Sequence, residues 1–523
     1  MRRLTLLVVA AAIVAGCGKT DPPVQPPKPP TVAPPIAGGN QVPGQGPGNP
    51  VAAGNPSAWG WIGAQLGEVP QDLAARYQLQ HGGAHVKGFA DGSPARGALQ
   101  ENDVVVRVGD QDIDGPATLL AIVRDSEPGR ELAFSVHRAA GLVQISVKVG
   151  ERRCKESLDK ALQTGVEWLT AQQRPDGAWE YPHPSRIGES TGRPHSAVTA
   201  LAVAALASLP KGGPDAKDAV ARGIAFLKGR INSDGLVDAP EEEGIAYRTY
   251  ATSLTLLALA RRGDAADKAD IERLVDALRR SQMAENVGLT PLDWLYGSWN
   301  TYDQQVVYTT RGDLSGTSFA LHALYAAGVP ANDPVFRRGV QFVKRAQNMR
   351  ESGPGLPELD DGGFTFNPRD GKAGSKQINR EVEKFYSYGS PTSDGLRGLF
   401  YCVRKKDDPR VQIGLAWFAR NFTVERNPGF QREGRDPIVR FDQGLHFYYL
   451  HSLAEALHET AGDSVLVEGR PRFWAADILG KVCSLQQKDG RWQNPINVMN
   501  EDDPNVATGL CLLTLDVLAQ HVR

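Results

Sequence analysis

The sequence predicts a multidomain chain, in which a small β-rich domain is followed by an all-α (α/α)6 toroid of six helical hairpins. Three observations predict this. Across 59–150 short alternating runs are separated by glycine turns, the period-2 pattern of strands. From Cys154 onward an amphipathic helix is followed by one apolar almost all round, and the pairing recurs six times. The amphipathic helices end in a repeated Gln…Asp-Gly-aromatic signature.

Composition narrows the function class. The 523 residues carry 58 Lys and Arg against 60 Asp and Glu, a net charge of −2, which leaves no electrostatic footprint for nucleic acid. With 41% hydrophobic residues and a single apolar run near the start, the composition excludes a polytopic membrane protein.

In chain order, Arg2 and Arg3 precede the apolar stretch 4–15, the layout of a secretory signal. As a helix this stretch reaches about 18 Å, short of a hydrocarbon core of roughly 30 Å. It ends Val14-Ala15-Gly16-Cys17, which resembles the lipobox of bacterial lipoproteins. The resemblance implies that 1–16 are a signal peptide and that Cys17 becomes the lipidated N-terminus. Gly18, which is not Asp, implies outer-membrane sorting, with the protein facing the periplasm. Residues 18–58 hold 12 of the 36 prolines and seven glycines, so 17–58 are expected to form a disordered tether.

Within 59–150, strands are expected at 85–89, 104–108, 131–138 and 142–149, with helical pieces at 71–77 and 116–125. The opening Gly60-Trp61-Ile62-Gly63-Ala64, the run Asp91-Gly92-Ser93-Pro94-Ala95-Arg96-Gly97-Ala98-Leu99 and Asn102-Asp103-Val104-Val105 carry a family likeness. The segment resembles a PDZ domain of the HtrA-protease kind. That implies that backbone amides of Gly60, Trp61, Ile62, Gly63 and Ala64 receive the terminal carboxylate of a peptide or protein, while the next strand edge pairs with it. Ile62 would line the pocket for the last side chain, and Arg76 or His81 would tune specificity.

In 154–523 the clearest repeats are Gln172-Gln173-Arg174-Pro175-Asp176-Gly177-Ala178-Trp179 and Gln486-Gln487-Lys488-Asp489-Gly490-Arg491-Trp492, with Gln347 and Asp361-Gly362-Gly363-Phe364 as a third. Buried helices are expected at 196–209, 251–260, 317–327, 394–403, 447–457 and 506–520, an inner ring within an outer one. This part resembles the terpenoid-cyclase and protein-prenyltransferase superfamily, whose repeats carry the same signature. The repeat residues read as staples from helix end to turn.

The chemistry of that superfamily is not legible here. Squalene-hopene-type cyclases use Asp-x-Asp-Asp, and the similar stretch is Asp313-Leu314-Ser315-Gly316, where Ser315 replaces the acid. A hydroxyl is too weak an acid to protonate an alkene. The prenyltransferase zinc site needs Asp-x-Cys, which does not occur. His446 and His451 fall about 140° apart on a helix, so no metal and no cofactor is expected. His195, Tyr250, Asp313, Tyr388, Asp394, His446 and Tyr448 open inner helices and are the candidate cavity residues, beside aromatic residues Trp294, Tyr296, Trp299, Tyr302 and Tyr308 of an insertion. They could hold a lipid or a glycan. Cys154, Cys402, Cys483 and Cys511 are expected as free thiols. The expected function is a membrane-tethered envelope binding or scaffold protein. A toroid-cavity enzyme, either a glycan lyase or hydrolase or a divergent terpenoid-type enzyme, and a structural spacer are the alternatives.

Overall fold

The structure, a computed structural model, describes residues 58–79, 82–90, 92–181, 194–209, 214–238, 247–300, 312–352, 359–380, 382–430, 439–467 and 469–522. The signal segment, Cys17, nearly all of the tether, His81, Asp91, Tyr302 and Tyr308 lie outside them.

The β-rich part runs β1 (Ala58–Trp61), β2 (Ala64–Gly67), α1 (Gln71–Arg76), β3 (Ala84–Phe89), β4 (Val104–Val108), β5 (Gln111–Asp112), α2 (Pro116–Arg124), β6 (Glu131–Arg138), β7 (Gly141–Lys148) and β8 (Gly150–Arg153). The main sheet has the order β2-β3-β4-β6-β7, with β5 paired to β4. Alternation sets its inner face, since Leu132, Phe134 and Val136 of β6 point into a core with Val86, Val105 and Leu119. β1 stands apart and pairs antiparallel with β8, from Ala58↔Arg153 to Trp61↔Gly150. Trp59 of β1 belongs to the core of the helical part, while Ile62, three residues on, belongs to the core of the β-rich part. The junction between the two parts is therefore a shared ladder.

The helical part comprises α3 (Cys154–Ala171), α4 (Ser196–Ala207), α5 (Pro214–Lys228), α6 (Arg248–Arg262), α7 (Lys268–Ser281), β9 (Trp299–Asn300), β10 (Gly312–Asp313), α8 (Leu314–Ala326), α9 (Pro334–Ala346), β11 (Ser375–Gln377), β12 (Glu383–Phe385), α10 (Gly389–Val403), α11 (Pro409–Asn421), α12 (Phe441–Gly444), α13 (His446–Thr460), β13 (Val465–Val467), β14 (Arg470–Arg472), α14 (Trp474–Leu485) and α15 (Pro504–Leu518). Asp333-Pro334, Asp408-Pro409 and Asp503-Pro504 start α9, α11 and α15, the Asp accepting the free first-turn N–H and Pro supplying a preset φ. The apolar helices α4, α6, α8, α10, α13 and α15 each pack on the next, and α15 packs back on α4. The amphipathic helices α3, α5, α7, α9, α11 and α14 lie against them, so the chain forms a helical toroid.

The repeat signature acts as a clasp. Gln173 Nε2 donates to the carbonyl of its own turn, Gly177, at 2.9 Å and to Ala219 of the following outer helix at 2.7 Å. Gln282 does the same to Gly297 and Val335, and Gln347 to Gly362 and Arg410. Gln486 bridges Gly490 and Ala161 of α3, so the last clasp reaches the first outer helix. Gly490 has φ +97°, and a Cβ there would lie 2.3 Å from the Thr164 carbonyl, so the turn admits only glycine. Each clasped turn also meets an inner-helix threonine. The N–H groups of Trp179, Trp299, Phe364 and Trp492 donate to Thr199, Thr317, Thr392 and Thr508.

Two expectations change, and in the last repeat, where two glutamines adjoin, Gln486 is the clasping one while Gln487 pairs its backbone with Arg491. Trp299 is fully buried, its indole donating to Leu278, so it is a repeat aromatic and not a ligand-facing one. Inner helices also begin earlier than expected, because polar first turns read as loop in the sequence; Gly389-Ser390-Pro391 open α10 and place Asp394 one turn inside it.

Candidate functional site

Two places concentrate chemistry, a sheet edge in the β-rich part and a polar cluster among the inner helices.

At the edge, Ile62-Gly63 turns the chain from β1 into β2. Ser93 Oγ donates to the Ile62 carbonyl at 2.7 Å, the Ala95 N–H to the same oxygen at 3.1 Å, and the Ala90 N–H to the Gly63 carbonyl at 2.8 Å. A trans peptide holds its N–H opposite its carbonyl, so the Gly63 and Ala64 N–H groups point away from this support. Gly63 adopts φ +70°, and its Cβ would meet Ser93 Cα at 2.7 Å. Ala64 faces Phe89 across the ladder. Because Ala90 bonds to Gly63, that is a non-hydrogen-bonded pair, whose amides turn outward to the open side of β2. β2 is paired on one side, to β3, and ends the sheet. Leu66 of β2 and Ile122 of α2 are partly exposed and rest on the core.

This narrows the expected set. Gly60 and Trp61 are taken by the ladder with β8, and Trp61 lies under Arg152, 5.6 Å from its ring centre. Gly60 is needed because a Cβ would lie 2.1 Å from the Val123 carbonyl at the end of α2. Ile62 is 2% exposed and is core, so its side chain supports the turn from beneath.

In the toroid, Tyr250, Ser315, Tyr448 and Asp394 form one chain of hydrogen bonds. Tyr250 donates to Ser315 at 2.7 Å, Ser315 meets the Tyr448 hydroxyl, and Tyr448 donates to Asp394 Oδ2 at 2.8 Å. Asp394 Oδ1 accepts from Ser452 at 2.5 Å and from Arg397 Nη2 at 2.8 Å. Arg397 is fully buried and lies 4.7 Å from the centre of the Phe319 ring. Its Nη1 and the Nδ1 of buried His451 have no hydrogen-bond partner among the described residues. One to two turns deeper, Tyr401 donates to Glu455 at 3.3 Å and stacks on His322 at 4.9 Å. Arg261 approaches Glu455 at 3.8 Å. Burial pushes His322 down to about 4 and His451 to about 3, so both rings are neutral at pH 7. Burial would raise Glu455, but His322 and His451, which would charge in the same acid range, and then Arg261 and Arg397, bring it down to about 2. Burial, then Asp394, pushes the Tyr448 hydroxyl well above its ordinary value.

Asp313 caps α8, accepting from Gly316 N at 2.8 Å. Tyr388 is buried against Phe430 at 4.9 Å, and the charges of Asp394, Asp370 and Asp313 add to burial in raising its hydroxyl. Lys372, over the Phe366 ring at 3.3 Å, faces the same three carboxylates, and burial lowers its ammonium. His195 caps α4 and sits between Tyr181 and Tyr247, its ring neutral because burial brings it to about 4. Tyr181 and Tyr247 meet at Asn500.

His446 does not join the others. Its Nε2 bonds the Val424 carbonyl at 2.8 Å beyond α11, and burial brings it to about 4. The sequence alone did not point to Arg397, Lys372, His322 or Glu455, and His451 entered only as a metal candidate with His446. Arg397 had a legible signal, a charge three residues after Asp394 in an otherwise apolar helix.

Residues 193–364 match the family model described as squalene-hopene cyclase C-terminal domain, about a third of the chain. No curated protein matches the chain. Among solved structures, a complex of the type II terpene cyclase MstE from Scytonema with geranylgeranyl dihydroxybenzoate is 13% identical over 70% of this chain and 99% of that one, with a TM-score of 0.44. The HtrA-type protease AlgW with a decapeptide is 27% identical over 18% of this chain and 30% of that one, TM-score 0.17. The HtrA3 PDZ domain bound to the phage-derived ligand FGRWV is 22% identical over 18% of this chain and 88% of that one, TM-score 0.16. The chain thus spans about 30% of the length of that HtrA-type protease. Residues 193–364 of the helical part are thus similar to a squalene-hopene cyclase C-terminal domain, and a small β-rich part precedes the helical part in the chain.

Proposed function

We propose that this chain is a peptide-capturing protein of the bacterial cell envelope, in which the β-rich part works as a PDZ domain and the cyclase-like toroid is its rigid partner. The observation that carries the reading is the turn at Gly63, which aims the Gly63 and Ala64 amides outward at the head of an open strand edge. Such amides accept a carboxylate, and the edge extends by β-augmentation. The helical circuit is read as six hairpins, supported by the packing of α15 on α4 and the clasp from Gln486 to α3. A lipid on Cys17 and the tether at 17–58 belong to the same proposal, placing the chain on the outer membrane facing the periplasm.

The toroid's role is proposed as binding without cyclase or prenyltransferase chemistry. Ser315 occupies the acid's place in the motif and is tied to Tyr250 and Tyr448, while Asp394 is neutralised by Arg397. A lipid or glycan remains the proposed class of toroid ligand.

The test is binding of fluorescent peptides with a free C-terminus to the full chain. Micromolar binding that is lost on C-terminal amidation, and in Leu66→Lys, is expected. Failure of a randomised C-terminal library to bind would overturn the reading.

A further inference from the structure

The helix that flanks the open edge is held at its C-terminal end by the toroid. Arg124, last in α2, lies with Nε 3.1 Å from Asp477 Oδ1 in the first turn of α14. Arg472 of β14 bonds Asp477 Oδ2 at 2.5 Å and reaches Asp125, the residue after α2, at 2.8 Å. The four charges alternate in sign, two from each part of the molecule. Asp477 is 4% exposed, so its pairs with Arg124 and Arg472 are buried, while Asp125 at the outer end of the row is exposed. At the same end of α2, the Val123 and Ser126 carbonyls abut Gly60, two residues before the turn that presents the amides. One wall of the groove and the start of the other thus meet where the toroid grips.

Burial raises the Asp477 carboxyl to about 6 despite Arg124, with Glu425, itself paired to Lys481 at 2.6 Å, adding to the rise. Desolvation therefore outweighs pairing, and the charge is a poor source of folding stability. A charge kept at such a cost points to a role in placing α2.

We infer that Asp477 and Arg472 are positioning residues for the peptide groove, fixing α2 against the β2 edge from outside the β-rich part. This rests on the reading of that edge as a peptide site. Protonation of Asp477 leaves Arg124 and Arg472 without the anion between them, so groove affinity falls as pH drops through about 6.

The experiment uses the full chain and Asp477→Asn, compared by peptide titration from pH 5 to 8 and by hydrogen exchange of 116–126 without peptide. The expected result is a 5–10-fold weaker affinity at pH 7.5 in Asp477→Asn, with a flattened pH profile, faster exchange in α2 and an unchanged unfolding midpoint. Arg472→Gln should reproduce the loss. Equal affinity with the wild-type pH profile overturns the inference while leaving the groove standing. Should no peptide bind even the wild type, the reading of the groove falls, and the exchange arm still decides: unchanged α2 exchange in Asp477→Asn overturns the positioning role.

Discussion

The sheet edge and the toroid interior handle polar groups in opposite ways. At the edge, Gly63 and Ala64 turn backbone amides outward, where a partner can complete them. In the toroid, Asp394 pairs with Arg397, Tyr448 and Ser452, and Tyr401 donates to Glu455, all within the inner ring. One region keeps its hydrogen-bonding capacity for a ligand, and the other uses nearly all of it on itself. Among the described residues the exceptions on the inner helices include Arg397 Nη1, His451 Nδ1, Arg261 Nη1 and Ser253 Oγ. The comparison teaches that one chain can leave backbone amides open at a sheet edge while pairing most of the polar groups of its inner helices with one another.

Substitutions can break that contrast. The largest effect is expected from Asp394→Ala, which strands the fully buried Arg397 and should cost about 3–5 kcal/mol in urea unfolding. A change under about 1 kcal/mol would mean that the interior is hydrated and open. Next is Gln347→Ala, which leaves the carbonyls of Gly362 and Arg410 without their clasp and should cost about 2–3 kcal/mol.

pH probes the same interior. Burial raises Glu501 and Asp503, which cap α13 and α15, to about 7. Groups whose folded pKa lies above the unfolded value contribute stability that is full below about pH 4 and is lost as pH rises through 7. Glu501→Gln should therefore lose less stability than the wild type between pH 5 and pH 8, by about 1–3 kcal/mol in urea unfolding, while the buried neutral His195, His322, His446 and His451 add the opposite trend to both proteins. Glu455 has the opposite sign, its contribution being lost only as pH falls through about 2. The smallest effect is expected from Leu66→Lys, on a partly exposed edge, at under about 0.5 kcal/mol of stability despite loss of peptide binding.

How much of this was legible in the sequence depends on whether the signal was periodic or pairwise. Period-2 and all-apolar runs fix which segments are strands and inner helices, and the Gln-Asp-Gly-aromatic repeat exposes the clasps, because each is written within a few residues. Thr199, Thr317, Thr392 and Thr508 belong to the same device, yet they sit about 16 to 28 positions from their turns, so no local pattern shows them. The interior network was missed for the same reason: Asp394 meets Ser452 and Tyr448 across more than fifty residues. His446 was misassigned because position at a helix start fixes height along the axis but not which way the ring faces; it turned to Val424.

The β1–β8 ladder has a mechanical consequence. The chain enters the β-rich part at Ala58 and leaves it at Arg153, and these two residues are paired side by side. Tension applied through the segment before Ala58 would pass across that base pair and through Trp59, seated in the toroid core, directly into α3. The β-rich part hangs off this line as a loop closed at its neck, so its groove stays unloaded until the four-residue ladder peels apart, one residue pair at a time.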